Sequence, residues 1–439
     1  MVKFLRCPLP RRNPINHQEY SDQSQSSNLH SDSSSNSSLS SQSSLPSVPS
    51  LTPPLDHPIT AATSYHCSAT LRGHSSYIFS LTLAGKHLYS GASDGEIRAW
   101  DRNPENSDQL PAHNVSNQSH EKCNTLCTTD KGYGAVKSIV ASGDKMFTAH
   151  NDHKIRVWKI DTSKPYHTYK IITTLPTFND RCMKLFSSKN YVNVRRHKKS
   201  TWVHHNDAVS ALALSRDASL LYSVSWDRTL KVWATTGFNC LESVENAHDD
   251  AINAVVVSHD GVVYTGSADK TIKVWRKQNH VGGKKHTLIS TFEKHKSAVN
   301  ALALSSDGAV LYSGACDRSI IVWEKDCGGG GGAAHMTVAG ALRGHTKAIL
   351  CLAVVSDLLC SGSADKTVRI WRGGCGNSYS CLAVFEGHKS PVKCLTAALD
   401  SNSNDSGNNS KDSGNSYLVY SGGLDCDIKV WQIRVLSST

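Results

Sequence analysis

Short apolar, β-branched runs recur along this chain between tight polar turns. One uninterrupted stretch reads Val255-Val256-Val257, His259-Asp260-Gly261, Val262-Val263-Tyr264, Ala268-Asp269-Lys270, then Thr271-Ile272-Lys273-Val274-Trp275. Runs of this length bounded by turn residues predict strand, turn, strand. The unit returns seven times. Its last seven residues are Asp94–Trp100, Asp152–Trp158, Asp227–Trp233, Asp269–Trp275, Asp317–Trp323, Asp365–Trp371 and Asp425–Trp431. A hydroxyl stands four residues before each Asp: Ser90, Thr148, Ser223, Thr265, Ser313, Ser361 and Ser421. Successive Trp residues lie 42 or 48 apart where the chain is least interrupted, the period of a four-stranded blade. The pattern predicts an all-β protein, a seven-bladed propeller over residues 65 to 439.

Six copies also open with a His four residues before a β-branched residue: His74, His205, His248, His295, His345 and His388. In the second copy Gly132 holds that place, so its polar set is expected not to close and its blade to be the loosest. Together these residues resemble the WD40 repeat, across residues 65 to 439. The resemblance implies that the His lies in the loop entering the blade, the hydroxyl on the second strand, the Asp in the next turn and the Trp on the third strand. The implied sets are His74, Ser90, Asp94, Trp100; His205, Ser223, Asp227, Trp233; His248, Thr265, Asp269, Trp275; His295, Ser313, Asp317, Trp323; His345, Ser361, Asp365, Trp371; and His388, Ser421, Asp425, Trp431. A buried indole N–H needs an acceptor, and a hydroxyl between it and a carboxylate-held His satisfies every partner. Ser, His and Asp are also the parts of a nucleophilic triad. A catalytic set is needed once, at a cleft, whereas this one recurs in six blades, so it reads as structure.

The ends of the repeat predict how the ring closes. Eight residues follow Trp431, too few for a turn and an outer strand, while Tyr65–Arg72 precedes the first His as Leu288–Phe292 precedes His295. The amino-terminal strand is therefore expected to complete blade seven and remove two exposed edges. Residues 1 to 64 form a separate tail. Positions 21 to 50 hold 16 serines and no aromatic residue, and Pro46, Pro49, Pro53, Pro54 and Pro58 follow or overlap, a composition expected to stay disordered. Thr52-Pro53 within it suits phosphorylation. Deleting residues 1 to 60 is expected to leave stability nearly unchanged.

No run of about 20 apolar residues or signal-like leader is present, which points to an intracellular protein without a membrane span. The 14 cysteines fall within strands and turns of a chain large enough to fold unstapled, so reduced thiols are expected. Cys123 and Cys127 are spaced like half a zinc site, but no second pair matches; neither metal nor cofactor is expected. The formal charge of +10 resides in the repeats, because the tail's charges cancel, and it favours an acidic partner. Its densest run is Arg195-Arg196-His197-Lys198-Lys199. Insertions at 102–122, 159–198, 324–335 and 400–416 are expected on one face, leaving short loops on the face with the His and Asp turns.

The basic run leading into Trp202-Val203-His204-His205, with a Ser-rich leader, looks like the plant JINGUBANG-like group. The WD40 resemblance implies a non-catalytic scaffold or adaptor for other proteins, cytoplasmic or nuclear, a monomeric propeller within a complex. One alternative is a substrate receptor of a cullin-type ubiquitin ligase, marked by Trp-Asp-x-Arg; Trp100-Asp101-Arg102-Asn103 lacks the Arg in place. Another is an RNA- or chromatin-associated subunit, although nucleic acid is the less expected partner. The residues just before the turn Asp project toward the compact face, where Trp226 is the outlier. With Tyr77 and Leu424 it is expected to form the apolar part of a protein-binding patch.

Overall fold

A computed structural model describes residues 48–52, 63–102, 123–127, 133–161, 168–185, 191–195, 198–280, 283–325, 336–374, 378–400 and 414–436. Seven four-stranded antiparallel sheets follow one another, six of them in strict sequence order from inner to outer strand. Blade four is representative, with strands Ile252–Val257, Val263–Ser267, Ile272–His280 and Gly283–Phe292. Inner strands pack face to face around the ring, and the apolar core lies in the seams. One such cluster joins Val224, Leu230, Ile252, Val255 and Trp275 of blades three and four. The Trp of each repeat is buried in its seam, from Trp233 at 1% exposed to Trp275 at 5%.

The ring closes as expected. Thr63–Leu71 pairs antiparallel with Ile428–Leu436 and becomes the outer strand of blade seven, after Val392–Leu399 and Gly414–Gly423. Because chain ends so far apart share one ladder, the last blade cannot open without breaking main-chain hydrogen bonds from both.

Two expectations about the periphery need correction. Residues 1–47 and 53–62 of the tail lie outside the described residues, but Val48–Thr52 is placed against the outer strand of blade five, Met336–Leu342, through a parallel bridge between Ser50 and Ala341. These residues therefore belong with the ring, and deleting 1 to 60 removes contacts. The insertion of blade two at 159–198 does not keep to the face expected for it. Its third strand runs Ile155–Asp161 and its outer strand Thr168–Leu175, so little is inserted between them. The bulk comes after the outer strand, as helix Phe178–Leu185 and hairpin Tyr191–Arg195 with Lys198–Thr201. That connection enters blade three on the side of the His and Asp turns, so the face expected to keep short loops carries a helix.

The helix is fixed at both levels. Thr177 caps it by accepting the Asp180 N–H at 3.1 Å, and the buried Asp180 carboxylate accepts the Cys240 N–H from the outer strand of blade three. The insertions at 103–122, 326–335 and 401–413 lie outside the described residues, as do the side chains of Cys123, Cys127 and 195–199. Among the described residues no helix is long and apolar enough to cross a membrane, and no group of three or more His, Cys, Asp or Glu could hold a metal ion.

Candidate functional site

The recurring polar sets come first, because they build the face on which partners would land. In blade four the Trp275 indole N–H donates to Thr265 Oγ1 at 2.9 Å, and Thr265 lies 2.7 Å from His248 Nε2. His248 Nδ1 then meets Asp269 at 2.8 Å. A hydroxyl that accepts from Trp has its own proton left for His Nε2, so Nδ1 carries the ring proton toward the carboxylate. The chain of donors is repeated in blades three, five, six and seven, where His205, His295, His345 and His388 meet Asp227, Asp317, Asp365 and Asp425. Burial works to raise the Asp269 carboxyl, but the His248 and Thr271 hydrogen bonds outweigh it and hold it below the ordinary carboxylate range.

Blades one and two depart from this scheme. In blade one His74 Nδ1 meets Glu96 at 3.0 Å, and Glu96 also pairs with Arg98 at 2.8 Å. Asp94, expected in that role, instead faces the loop hydroxyl Ser75, and the set is His74, Ser90, Glu96, Trp100. Blade two closes after all. His150, two residues after Thr148 on the same strand, turns back so that Nε2 lies 2.8 Å from the Thr148 hydroxyl, which accepts the Trp158 N–H at 2.9 Å. The Gly134 carbonyl takes the place of the carboxylate, 3.2 Å from His150 Nδ1. Asp152 is thereby released to clamp Arg156 with bonds of 2.6 and 3.2 Å. Burial first, then the Arg156 charge, pushes the His150 imidazole down to about 4. The signal was in the sequence: other blades put Ala, Ser or Gly where His150 stands.

Recurring basic residues on the third strands are likewise spent inside the fold. Lys231 is fully buried and donates to the Trp202 carbonyl and Ser243, while Lys273 donates to the Ala247 carbonyl at 2.9 Å. They tie the entering loop to its blade.

A different ring of positions surrounds the mouth. One residue after the buried β-branched residue at the head of each inner strand stand Phe79, Lys137, Ser210, Asn253, Asn300, Leu350 and Lys393. In blades three to five they join neighbours: Asn253 and Asn300 donate across the seams to the Val299 and Ile349 carbonyls at 3.0 and 2.8 Å, and Ser210 donates to the Ile252 carbonyl. Blades seven, one and two supply Lys393, Phe79 and Lys137 instead. The Lys137 ammonium lies 4.4 Å from the centre of the Phe79 ring and 5.1 Å from that of Trp226, sandwiched between blades one and three. Burial, then the charge of Lys393, lowers the Lys137 ammonium to about 8. Trp226 is 41% exposed, whereas the Trp residues of the repeat are buried.

The three residues of the expected apolar patch differ in exposure. Trp226 is on the surface and Tyr77 is half-buried, its carbonyl accepting the Ser93 N–H at 2.8 Å. Leu424 is only 7% exposed and contributes no surface, although its N–H makes to the Pro391 carbonyl the same turn bond that the exposed Trp226 makes to Ala208. Lys137 and Phe79 were missed; nothing in the repeat marks positions that vary from blade to blade.

On the same side, between blades two and three, a cavity of about 560 Å³ is lined by Tyr133, Asp152, Arg156, Arg181 and His204 among others. Part of its wall comes from the helix that follows Leu175.

The sequence pattern of WD40 (WD domain, G-beta repeat) matches residues 65–101, 196–234, 238–276, 286–324, 336–372 and 379–432, more than half of the chain. The chain belongs to the WD40 family. None of the matched stretches falls on blade two, the one in which His150 substitutes for the loop His. Among curated relatives, Protein hir1 of Schizosaccharomyces pombe is 28% identical over 47% of this WD40 chain and 20% of its own length. Protein hir-1 of Neurospora crassa is 26% identical over 44% and 17%, respectively. A Ribosome biogenesis protein WDR12 homolog from Trichoplax adhaerens is 24% identical over 49% of this chain and 56% of its own. The chain therefore spans between 17% and 56% of the length of these relatives.

Proposed function

We propose that this WD40 protein is a non-catalytic scaffold, and that it captures an acidic segment of a partner protein on the arc of the mouth formed by blades seven, one, two and three. The observation that carries the reading is the Lys137 ammonium held between the Phe79 and Trp226 rings with Lys393 beside it. A partly desolvated cation beside an exposed indole suits a carboxylate with a neighbouring apolar side chain, and exposed Trp is enriched at the centres of interfaces. The positive balance of the propeller supports an acidic ligand and speeds its encounter. Trp226 and Tyr77 then supply the apolar rim. The reading places a monomeric propeller within an intracellular complex, cytoplasmic or nuclear. The finer likeness to the plant JINGUBANG-like group rests on the segment from Arg195 to Ser210 and the Ser-rich leader, and the relatives above come from fungi and an animal.

The test is affinity capture with the whole chain as bait, comparing wild type with Trp226→Ala/Tyr77→Ala and with Lys137→Glu. Folded variants should lose their partner proteins. Retention of every partner by both would remove the arc from the account.

A second reading is an RNA-associated subunit, favoured by the name of the WDR12 relative, which places that protein in ribosome biogenesis. The two differ in salt response. Phosphate contacts weaken by about three to five powers of ten between 50 and 200 mM salt when six to ten phosphates are engaged, whereas one carboxylate over Lys137 weakens far less.

A further inference from the structure

Along the outer edge of blade five, Val48–Thr52 lies as a short added strand. The Ala341 N–H donates to the Pro49 carbonyl at 2.8 Å, and the Leu51 N–H donates to the Ala341 carbonyl at 2.9 Å. The Leu51 carbonyl then accepts the Tyr379 N–H from the outer strand of blade six, also at 2.9 Å, so the segment stitches two blades together. Arg343 adds a guanidinium bond to the Val48 carbonyl at 3.3 Å, and Thr52 donates to the Arg343 carbonyl. Proline fits here because its missing N–H is one that the ladder does not use.

Val48 and Leu51, three residues apart, fall on opposite faces of the blade. Val48 packs on the core shared by blades four and five, and Leu51 on the core shared by blades five and six, while Pro49 and Ser50 face outward. Leu51 enters a pocket whose floor is Gly340, where any Cβ would overlap Leu51 Cγ. The same register position, opposite the residue before the repeat Trp, holds Asn124, Thr173, Glu242, Ser290, Ala383 and Ala69 in the other blades. Blade five alone has no side chain there, and among the described residues it alone has a leucine seated on it. The pocket and its occupant are matched.

We propose that this edge is a recognition site for an extended peptide of the pattern Val-Pro-Ser-Leu-Thr, which the chain keeps closed in cis with its own residues 48–52. Main-chain pairing along a sheet edge supplies the affinity, and the two apolar pockets supply the selectivity. Ten residues, 53–62, tether the segment to the outer strand of blade seven. Covalent attachment makes this docking intramolecular, so a free peptide of equal intrinsic affinity is shut out until the strap is weakened.

The experiment uses the full chain and a fluorescein-labelled synthetic peptide covering residues 46–56. Fluorescence anisotropy should show Leu51→Asp binding it at least tenfold more tightly than wild type, and Leu51→Asp/Gly340→Val binding it no better than wild type. Equal binding by wild type and Leu51→Asp, absence of binding to both, or indifference to Gly340→Val would overturn the proposal. Should the double variant misfold, hydrogen exchange on the wild-type chain and on Gly340→Val decides. Slow exchange at the Leu51 and Tyr379 amides, lost in Gly340→Val while blade one is unchanged, is the expected result. Leu51 exchanging in wild type at the rate of a free peptide would refute the docking itself.

Discussion

Two arcs of the mouth ring, three blades each, use equivalent backbone positions for opposite ends. Across blades three to five, Ser210, Asn253 and Asn300 bond to the main chain of the next blade and are consumed by closure. Across blades seven, one and two, Lys393, Phe79 and Lys137 bridge no seam through a hydrogen bond to its carbonyl, and gather with Trp226 into a cationic and aromatic arc. The seams of that second arc are closed lower down, where Ser80 accepts the Ile139 N–H at 2.9 Å and Ser138 accepts the Leu212 N–H at 3.2 Å. A repeat thus separates holding the ring from meeting a partner by moving the seam bond one residue along the strand.

The largest expected effect breaks the arc. Lys137→Glu/Trp226→Ala should weaken capture of an acidic peptide by roughly thirtyfold or more, the scale of a lost hot spot of about 2 kcal/mol, with melting little changed. Asn253→Ala/Asn300→Ala should do the reverse, leaving binding intact and costing on the order of 2 kcal/mol of stability for two net hydrogen bonds. Equal loss of binding in both double variants would erase the distinction between the arcs.

Next in size is blade two, which lies within the arc. Asp152→Ala leaves Arg156, 4% exposed, without its carboxylate and should cost about 1 to 3 kcal/mol in denaturant titrations, at least as much as Asp269→Ala in blade four. Reading Gly132 as an open set implies the opposite order.

Smaller, and specific to pH, is the contribution of His150. Its imidazole falls from 6.5 in the unfolded chain to about 4 in the fold, so between those values the unfolded chain binds more protons. Stability therefore drops as pH falls from about 6.5 to about 4, and His150→Gln should flatten that slope. The smallest effect sharpens the arc: with Lys137 titrating near 8, acidic-peptide binding should weaken a few-fold from pH 7 to 9, and Lys137→Arg should remove the dependence.

Much of the molecule was legible before any coordinates because it is repeated. The Asp and Trp six apart, the hydroxyl four before, and the leftover strand at Tyr65 fix seven blades and their closure, since each satisfies a need that every blade has. What escaped is what occurs once. Glu96 replaces Asp94 two residues along the turn, and His150 does the work of a loop His from a strand, so the same hydrogen bonds are reached from positions outside the pattern. Leu424 was misread because a turn position was equated with exposure, whereas Trp226 and Leu424 hold equivalent turn positions with the same main-chain bond and differ in burial. Lys137 and Phe79 acquire meaning only when blades one to three are set side by side. Composition hid Val48–Thr52, since five residues can dock by backbone pairing and two side chains within a Ser-rich tail.

Trp226 offers the most direct test, because it is the exposed indole beside Lys137 while the seven repeat tryptophans are buried. Acrylamide quenching of tryptophan fluorescence is measured while an acidic peptide carrying one phenylalanine is titrated into the full chain. Saturable protection from quenching in wild type, absent in Trp226→Ala and in Lys137→Glu, is the result expected of an arc that binds acidic partner segments. Quenching that the peptide leaves unchanged, or protection that survives in Lys137→Glu, would contradict it.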